Sequence, residues 1–334
     1  MNSSLPVRAH LLACAWGCAA AVVLPAAAQT PSTGSGPAFP IKPIRIVVPF
    51  TPGGPNDILA RMAGQHLTAV WGQQVVVDNR PGGGTIIGTD TVAKAPPDGH
   101  TLLMVATAFA STPSLHAKLP YDTARDFTPV IQMVSSPNVL VVHPSLPAKN
   151  VKELIAVAKA RPGQIAFASG GTGSLTHLAG ELVRLSAGAP MTHIPYKGAA
   201  PATVALIGGE VSWMFGTILP TLPHVKSGKL RAIAVSGSQR VDVLPGVPTV
   251  AETLKGFDAS SWYGLFAPAA TPLDIIAKLN REVAAGLNVP EVRARLAQEG
   301  TVVVAGTPEQ FGALVKADMA KWARVIREAG IQQE

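Results

Sequence analysis

Ile44-Arg45-Ile46-Val47-Val48-Pro49-Phe50-Thr51-Pro52-Gly53-Gly54-Pro55-Asn56-Asp57 is a β-branched run that stops at a Pro/Gly turn and hands over to helix-forming sequence. Residues 44–50 have the make-up of a buried strand. From about Asp57 to Trp71, the apolar residues Leu59, Met62, Ala63, Leu67 and Val70 fall on one face at helical spacing. The same strand, turn and helix recur down the chain. Apolar runs of strand length occupy 75–77, 102–105, 139–142, 165–168, 211–215 and 233–235, most of them separated by helical segments. This alternation predicts an α/β protein of parallel sheets with helices on their faces, whose ligands gather at the carboxyl ends of the strands.

At 334 residues the chain favours two domains over one. Hydrophobic residues make up 47% and charged residues 14%, well under the usual ~25%, which excludes disorder. The 30 prolines and 32 glycines are spread between apolar segments, as turn residues are. The net charge of +7 comes with no Lys/Arg run and only 5% aromatic residues, so neither a phosphate-binding stripe nor a base-stacking platform is present. A small anionic ligand accounts for the charge.

Residues 1–28 contain one charged side chain, Arg8, then an apolar run over 11–24 and Pro25-Ala26-Ala27-Ala28. That is the pattern of a secretory signal peptide, cut after Ala28 and directing the chain to the periplasm. The run is shorter than the ~20 residues of a membrane span. Cys14 and Cys18 both lie in this leader, so the exported chain has no disulfide and no cysteine ligand. The competing reading, a lipid anchor at Cys14, places that residue at the very start of the apolar run. Removal of Arg8 leaves a charge of +6, and 29–39, rich in Pro, Ser, Thr and Gly, reads as a flexible arm.

Helix starts are written at Thr307-Pro308-Glu309-Gln310, Thr271-Pro272 and Asn150-Val151-Lys152-Glu153, where a capping side chain precedes an apolar stripe. Three turns between strand and helix carry glycines. In 49–57, Gly53 and Gly54 allow backbone N–H groups to face an anion at a helix N-terminus, and Asp57 is either its N-cap or a ligand contact. In Ser169-Gly170-Gly171-Thr172-Gly173-Ser174-Leu175-Thr176-His177, amides of Gly171 to Ser174 and the hydroxyls of Thr172 and Ser174 could hold a carboxylate. His177, one turn into that helix, is either a packed histidine or a ligand residue. The third turn, 79–85, is explained by turn geometry. The chain lacks a G-x-S-x-G elbow, an H-E-x-x-H motif and any pair of its eight histidines at metal-ligand spacing, so no catalytic residue, metal or cofactor is expected.

The segments PFTPGGPND (49–57), VVVDNRPGGG (75–84), SGGTGSLTH (169–177), IPYKGAAPATVALIGGEV (194–211), SGKLRAIAV (227–235), LPGVPTVAE (244–252) and SSWYGLFAPAATP (260–272) resemble, in order and spacing, the Bug or TctC-like receptors of tripartite tricarboxylate transporters. The resemblance implies a type II periplasmic-binding-protein fold of two α/β lobes with a ligand cleft and two crossing strands. Lobe 1 would comprise 40–134 plus 241–334 and lobe 2 residues 135–240, with crossings near 130–134 and 262–267. The loops at 50–57 and 171–177 would then face each other across the cleft. Family ligands are small carboxylates: di- and tricarboxylates, acidic amino acids and aromatic acids. On this basis Phe50, Thr51, Gly53, Gly54, Asp57, Thr107, Ala108, Gly171, Thr172, Gly173, Ser174, His177 and Thr217 are the expected ligand-binding residues. Phe50 and Trp262 are either ligand-stacking or core residues. Ser212 replaces an Asp common in the family, and Gly216-Thr217 stands where Asp or Asn is common. Loss of that acid removes a partner for a ligand ammonium group and points to a plain carboxylate.

The expected function is that of a non-enzymatic periplasmic receptor, monomeric, that delivers a small organic anion to membrane permease subunits, with no nucleic-acid partner. One alternative has the liganded form report to a sensor protein. Another, a secreted hydrolase using Ser174 or His177, lacks a motif that would activate a nucleophile.

Overall fold

The computed structural model describes residues 39–331. The leader with its cut after Ala28 and almost all of the 29–39 arm lie outside the described residues.

The opening stretch forms β1 (Ile44–Val48), which turns into α1 (Pro55–Trp71). β2 (Val75–Asn79), α2 (Ile86–Ala93), β3 (Thr101–Ala106) and α3 (Ala108–Leu115) follow. The long strand β4 (Phe127–Ser136) is separated from β5 (Asn138–Val142) by Pro137 alone. Then come α4 (Val151–Ala160), β6 (Ala166–Ser169), α5 (Leu175–Ala187), β7 (Thr192–Pro195), α6 (Ala199–Ile207), β8 (Trp213–Thr217), α7 (Ile218–Lys226) and β9 (Arg231–Val235). The chain continues with β10 (Ser261–Pro268), α8 (Leu273–Leu287), α9 (Pro290–Gln298), β11 (Val302–Val303) and α10 (Pro308–Ala329). Each apolar run read from the sequence as a strand is one, with ends displaced by a residue or two.

The strands form two sheets, ordered β11-β4-β10-β3-β1-β2 and β7-β6-β8-β5-β9, in a two-lobed α/β fold. The expectation of parallel sheets holds only for the βαβ units: β1 with β2 and β3, and β6 with β7 and β8. β10 runs antiparallel to β3 and β4, and β5 antiparallel to β8 and β9. The reason lies in where the chain changes sheets. Asn138, the first residue of β5, pairs with Thr217, the last of β8, and Ser261, the first of β10, pairs with Ser136, the last of β4. Both strands therefore enter at the edge where the parallel strands end, and must run the opposite way. Residues 130–134 and 262–267, expected at the crossings, lie within β4 and β10 in the first sheet. The changes of sheet are at Pro137 and over 236–260. These two connections are stitched together: Ser236 N–H donates to Asn138 O at 2.8 Å, Asn138 N–H to Ser236 Oγ at 2.8 Å, and Ser236 Oγ–H to Ala259 O at 3.0 Å.

One apolar cluster links the sheets through aromatic side chains, among them Trp213, Phe215, Phe266, Phe311 and Trp322. Each such side chain stabilises the fold by roughly 1.5–3 kcal/mol on burial. Trp262 belongs here and not to a ligand site. It is buried against Phe311 with ring centroids 5.2 Å apart, and its Nε1–H donates to the buried Asp318 Oδ2 at 2.8 Å.

Of the three helix starts, two are capped as expected. Asn150 Oδ1 accepts from Glu153 N–H, and Thr307 and Gln310 form a reciprocal capping box ahead of α10. At 271–272 the helix begins one residue late. Pro272 sits at the cap with ψ 138°, and the Thr271 hydroxyl donates to Pro268 O instead. Thr307→Ala should cost about 1 kcal/mol. Urea unfolding at neutral pH will show it as a lower midpoint with an unchanged slope.

Candidate functional site

Pro55 fixes the start of α1. Its ring is pre-set for the first helical position, so Gly54 becomes the N-cap and Asp57 lies in the first turn, not at the cap. From there the Asp57 carboxylate reaches back. Oδ2 accepts from Gly53 N–H and from Arg61 Nε, each at 3.0 Å, and Oδ1 lies 2.9 Å from Arg61 Nη2. Arg61 Nη2 also donates to Asn79 Oδ1 at 3.2 Å, and Asn79 Nδ2 donates to the Phe50 carbonyl at 3.1 Å. The Arg61 hydrogen bond, helped by Gly53 N–H, holds the Asp57 carboxyl below the usual carboxylate range in spite of its burial. Asp57 is thus a brace for the turn, and it consumes the Gly53 N–H expected to face a ligand. The N–H groups of Asn56 and Asp57 precede the first helical bond, Ile58 N–H to Gly54 O, and remain for an anion beside the exposed Thr51. Phe50 is half-buried against the apolar cluster beneath α1.

The second loop is built in the same way. Gly171 and Gly173 have φ of 132° and 74°, a region that favours glycine. Their N–H groups are turned inward: Gly171 N–H donates to Ser169 Oγ at 3.1 Å, and Gly173 N–H to His177 Nδ1 at 3.0 Å. Ser174 N–H goes to Gly171 O, and Ser174 Oγ caps α5 by accepting from His177 N–H. Three of the amides expected to converge on a ligand are therefore spent on the loop itself. The donors that remain are the exposed Thr172 and the first-turn N–H groups of Leu175 and Thr176, which have no helical carbonyl before them.

Beneath this loop lies a histidine pair. His177, only 4% exposed, stacks on His193 of β7 with ring centroids 3.6 Å apart. Because Nδ1 accepts from Gly173, the neutral His177 ring carries its proton on Nε2, 3.8 Å from Glu181 Oε1. His193 Nε2 is 2.7 Å from Ser169 Oγ. Burial, the neighbouring His193 and Arg184 push His177 down to about 4, and burial alone takes His193 to about 4. Burial raises the Glu181 carboxyl, against the pull of Arg184, with which it forms 2.6 Å contacts. His177 is the packed histidine of the two readings.

The remaining candidates divide. Thr107 is buried and its hydroxyl is occupied, accepting from Trp262 N–H at 2.9 Å and donating to Ser260 O at 3.4 Å, so it fastens β10 to β3. Ala108 and Thr217 are exposed at the starts of α3 and α7. A Cβ at Gly216 would lie 2.6 Å from Thr221 Oγ1, so any larger residue there would have to displace the buried Thr221 side chain. A cavity of about 220 Å³ opens beside the first turn of α1, with Pro55, Ile58, Thr217, Leu219 and Tyr263 in its wall. Larger surface recesses, of about 660 and 530 Å³, contain no residue of either loop. Among the described residues, no group of three or more His, Cys, Asp or Glu could hold a metal ion, and no helix is long and apolar enough to cross a membrane. The sequence reading missed Arg61, Asn79, Ser169 and His193. Only Arg61 had a local signal, four residues beyond Asp57 on one helix face.

The family model described as "Tripartite tricarboxylate transporter family receptor", TctC, matches residues 59–331. Protein BugT of Bordetella pertussis is 40% identical over 299 residues, covering 89% of this chain and 92% of BugT. Among solved structures, R. palustris Rpa4515 with adipate superposes with a TM-score of 0.72 at 36% identity, over 89% of this chain and 100% of that one. MatC from Rhodopseudomonas palustris with bound malate gives a TM-score of 0.68 at 33% identity, over 86% and 100%.

Proposed function

Because the chain belongs to the TctC family of periplasmic solute-binding receptors, we propose that it captures a small organic carboxylate between its two lobes and presents it to the permease of a tripartite transporter. The lobe limits enter this reading as 40–134 plus 241–334 and 135–240. What supports it most is the pair of braced turns. In each, the glycine amides are consumed in fixing the shape, while first-turn N–H groups of α1 or α5 and an exposed threonine, Thr51 or Thr172, stay available at a strand's carboxyl end. Backbone donors at a helix start bind anions through partial charge and pre-set direction. The ligands carried by Rpa4515 and MatC, adipate and malate, are of the same chemical class. Binding without turnover is the reading, since Ser169 is buried, His193 is half-buried, and their contact serves the loop.

Mass spectrometry of the molecule released from purified protein will identify the ligand. Adding it back should raise the unfolding temperature with concentration, as expected when only the folded state binds. No shift with any carboxylate would overturn the reading. Deleting the gene should abolish uptake of that ligand; intact uptake with a lost induced response would assign the protein to a sensor.

A further inference from the structure

The cavity beside α1 sharpens the ligand's chemistry, provided the ligand is a carboxylate as proposed above. Its wall joins the two sides of the fold: Pro55 and Ile58 come from the first turns of α1, and Thr217, Leu219 and Pro220 from the start of α7. Pro55 directly follows Gly54, the N-cap of the first anion-facing turn, so a molecule held there by a carboxylate has the cavity next to it. Ile58 and Leu219, 41% and 54% exposed, are large apolar side chains from opposite sides of the fold that share this one recess. Side by side in a recess, they offer apolar surface that a ligand's apolar group can cover.

Charge in this cavity is equally one-sided. No Lys, Arg or His lines it, and its only ionisable side chains are Tyr263 and Glu299. Glu299 has Arg295 no closer than 4.0 Å and is 41% exposed, so its charge is poorly neutralised. A second carboxylate entering the cavity would lose water, find no cation and meet a like charge. An apolar group would lose nothing and bury Ile58 and Leu219. A cavity of about 150 Å³ is enough to take benzene, so about 220 Å³ accepts a six-membered ring.

We propose that the ligand is a monocarboxylate with an uncharged, ring-sized apolar tail, its one carboxylate shared by the α1 and α5 turns and its tail in this cavity, with Ile58 and Leu219 as contacts that set specificity and Glu299 as the group that turns away dicarboxylates. Isothermal titration of the purified exported chain with benzoate and with adipate tests this. Benzoate should bind at least tenfold more tightly. Leu219→Gln and Ile58→Gln, at exposed positions where the unfolding temperature without ligand should not change, should each weaken benzoate tenfold or more. Glu299→Gln should narrow the gap by improving adipate. Adipate binding as tightly as benzoate, or benzoate binding unaffected by Leu219→Gln, would overturn the proposal and leave the carboxylate reading standing. If neither acid nor any other carboxylate bound, both would fall.

Discussion

Between pH 6.5 and 4.5 the protein is expected to lose on the order of 3 kcal/mol of stability, and the loss is expected to originate at His177 and His193. Both imidazoles titrate at about 4 in the fold against an ordinary value of 6.5. A group whose folded value is depressed in this way favours the folded state while neutral. For these bases the contribution is complete above pH 6.5 and is lost as pH falls toward 4. At about 1.4 kcal/mol per unit, His177 supplies up to about 3 kcal/mol, and the half-buried His193 less, since solvent screens it. Protonating His177 would set an Nδ1–H against the Gly173 N–H and place a cation against His193, 3.6 Å away. Arg184 adds to the repulsion. Glu181 works in the opposite direction: its raised carboxyl is relieved by protonation and offsets part of the loss. Asp57, whose value is lowered from 3.8, gives way only at still lower pH and does not confuse the window. Urea unfolding at pH 7, 6, 5 and 4.5 gives the profile, and NMR of the ring protons gives the two titrations. A flat profile from pH 7 to 5, or rings titrating near 6.5, would refute the assignment.

Gly173→Asp is expected to weaken ligand binding at least 100-fold, about 2.7 kcal/mol. The residue lies at φ 74°, which Asp tolerates better than most side chains, and its Cβ would meet Leu115 at 3.1 Å, a flexible neighbour that can give way. The fold should survive. What changes is the field: a carboxylate would stand beside the first-turn N–H groups of Leu175 and Thr176 and compete with the ligand for them. Gly173→Asn separates charge from shape. It carries nearly the same volume and should bind much better than the Asp variant. Retained affinity in Gly173→Asp would move the anion site elsewhere, and equal losses in both variants would make the effect steric.

Local signals proved readable where the chemistry is local. The β-branched run before Pro49 forms β1, and the Thr307 and Asn150 caps start helices at the residue expected. Strand direction was not readable, because an apolar run of five residues has the same pattern whichever way it enters a sheet. For β5 and β10, direction is set by the single residue between β4 and β5 and by the 236–260 connection. In the site, the sequence located the two turns but not the use of their atoms. Gly53 and Gly173 offer N–H groups to any acceptor. Their partners turned out to be Asp57 and His177, four residues on in each case, because a turn that must keep its shape without a ligand satisfies its own donors first. Thr107 was misplaced for a related reason. Its hydroxyl binds Trp262 N–H, a partner more than 150 residues away that only the folded sheet brings close.

Pro137 is the whole connection between the two sheets on one side, and it has no N–H and a ring-fixed φ. Rotation of one sheet against the other can draw on very few backbone torsions there, and the return strand, stitched to it at Ser236, must turn about the same line. A joint this short behaves like a door on a pin, not like a tether.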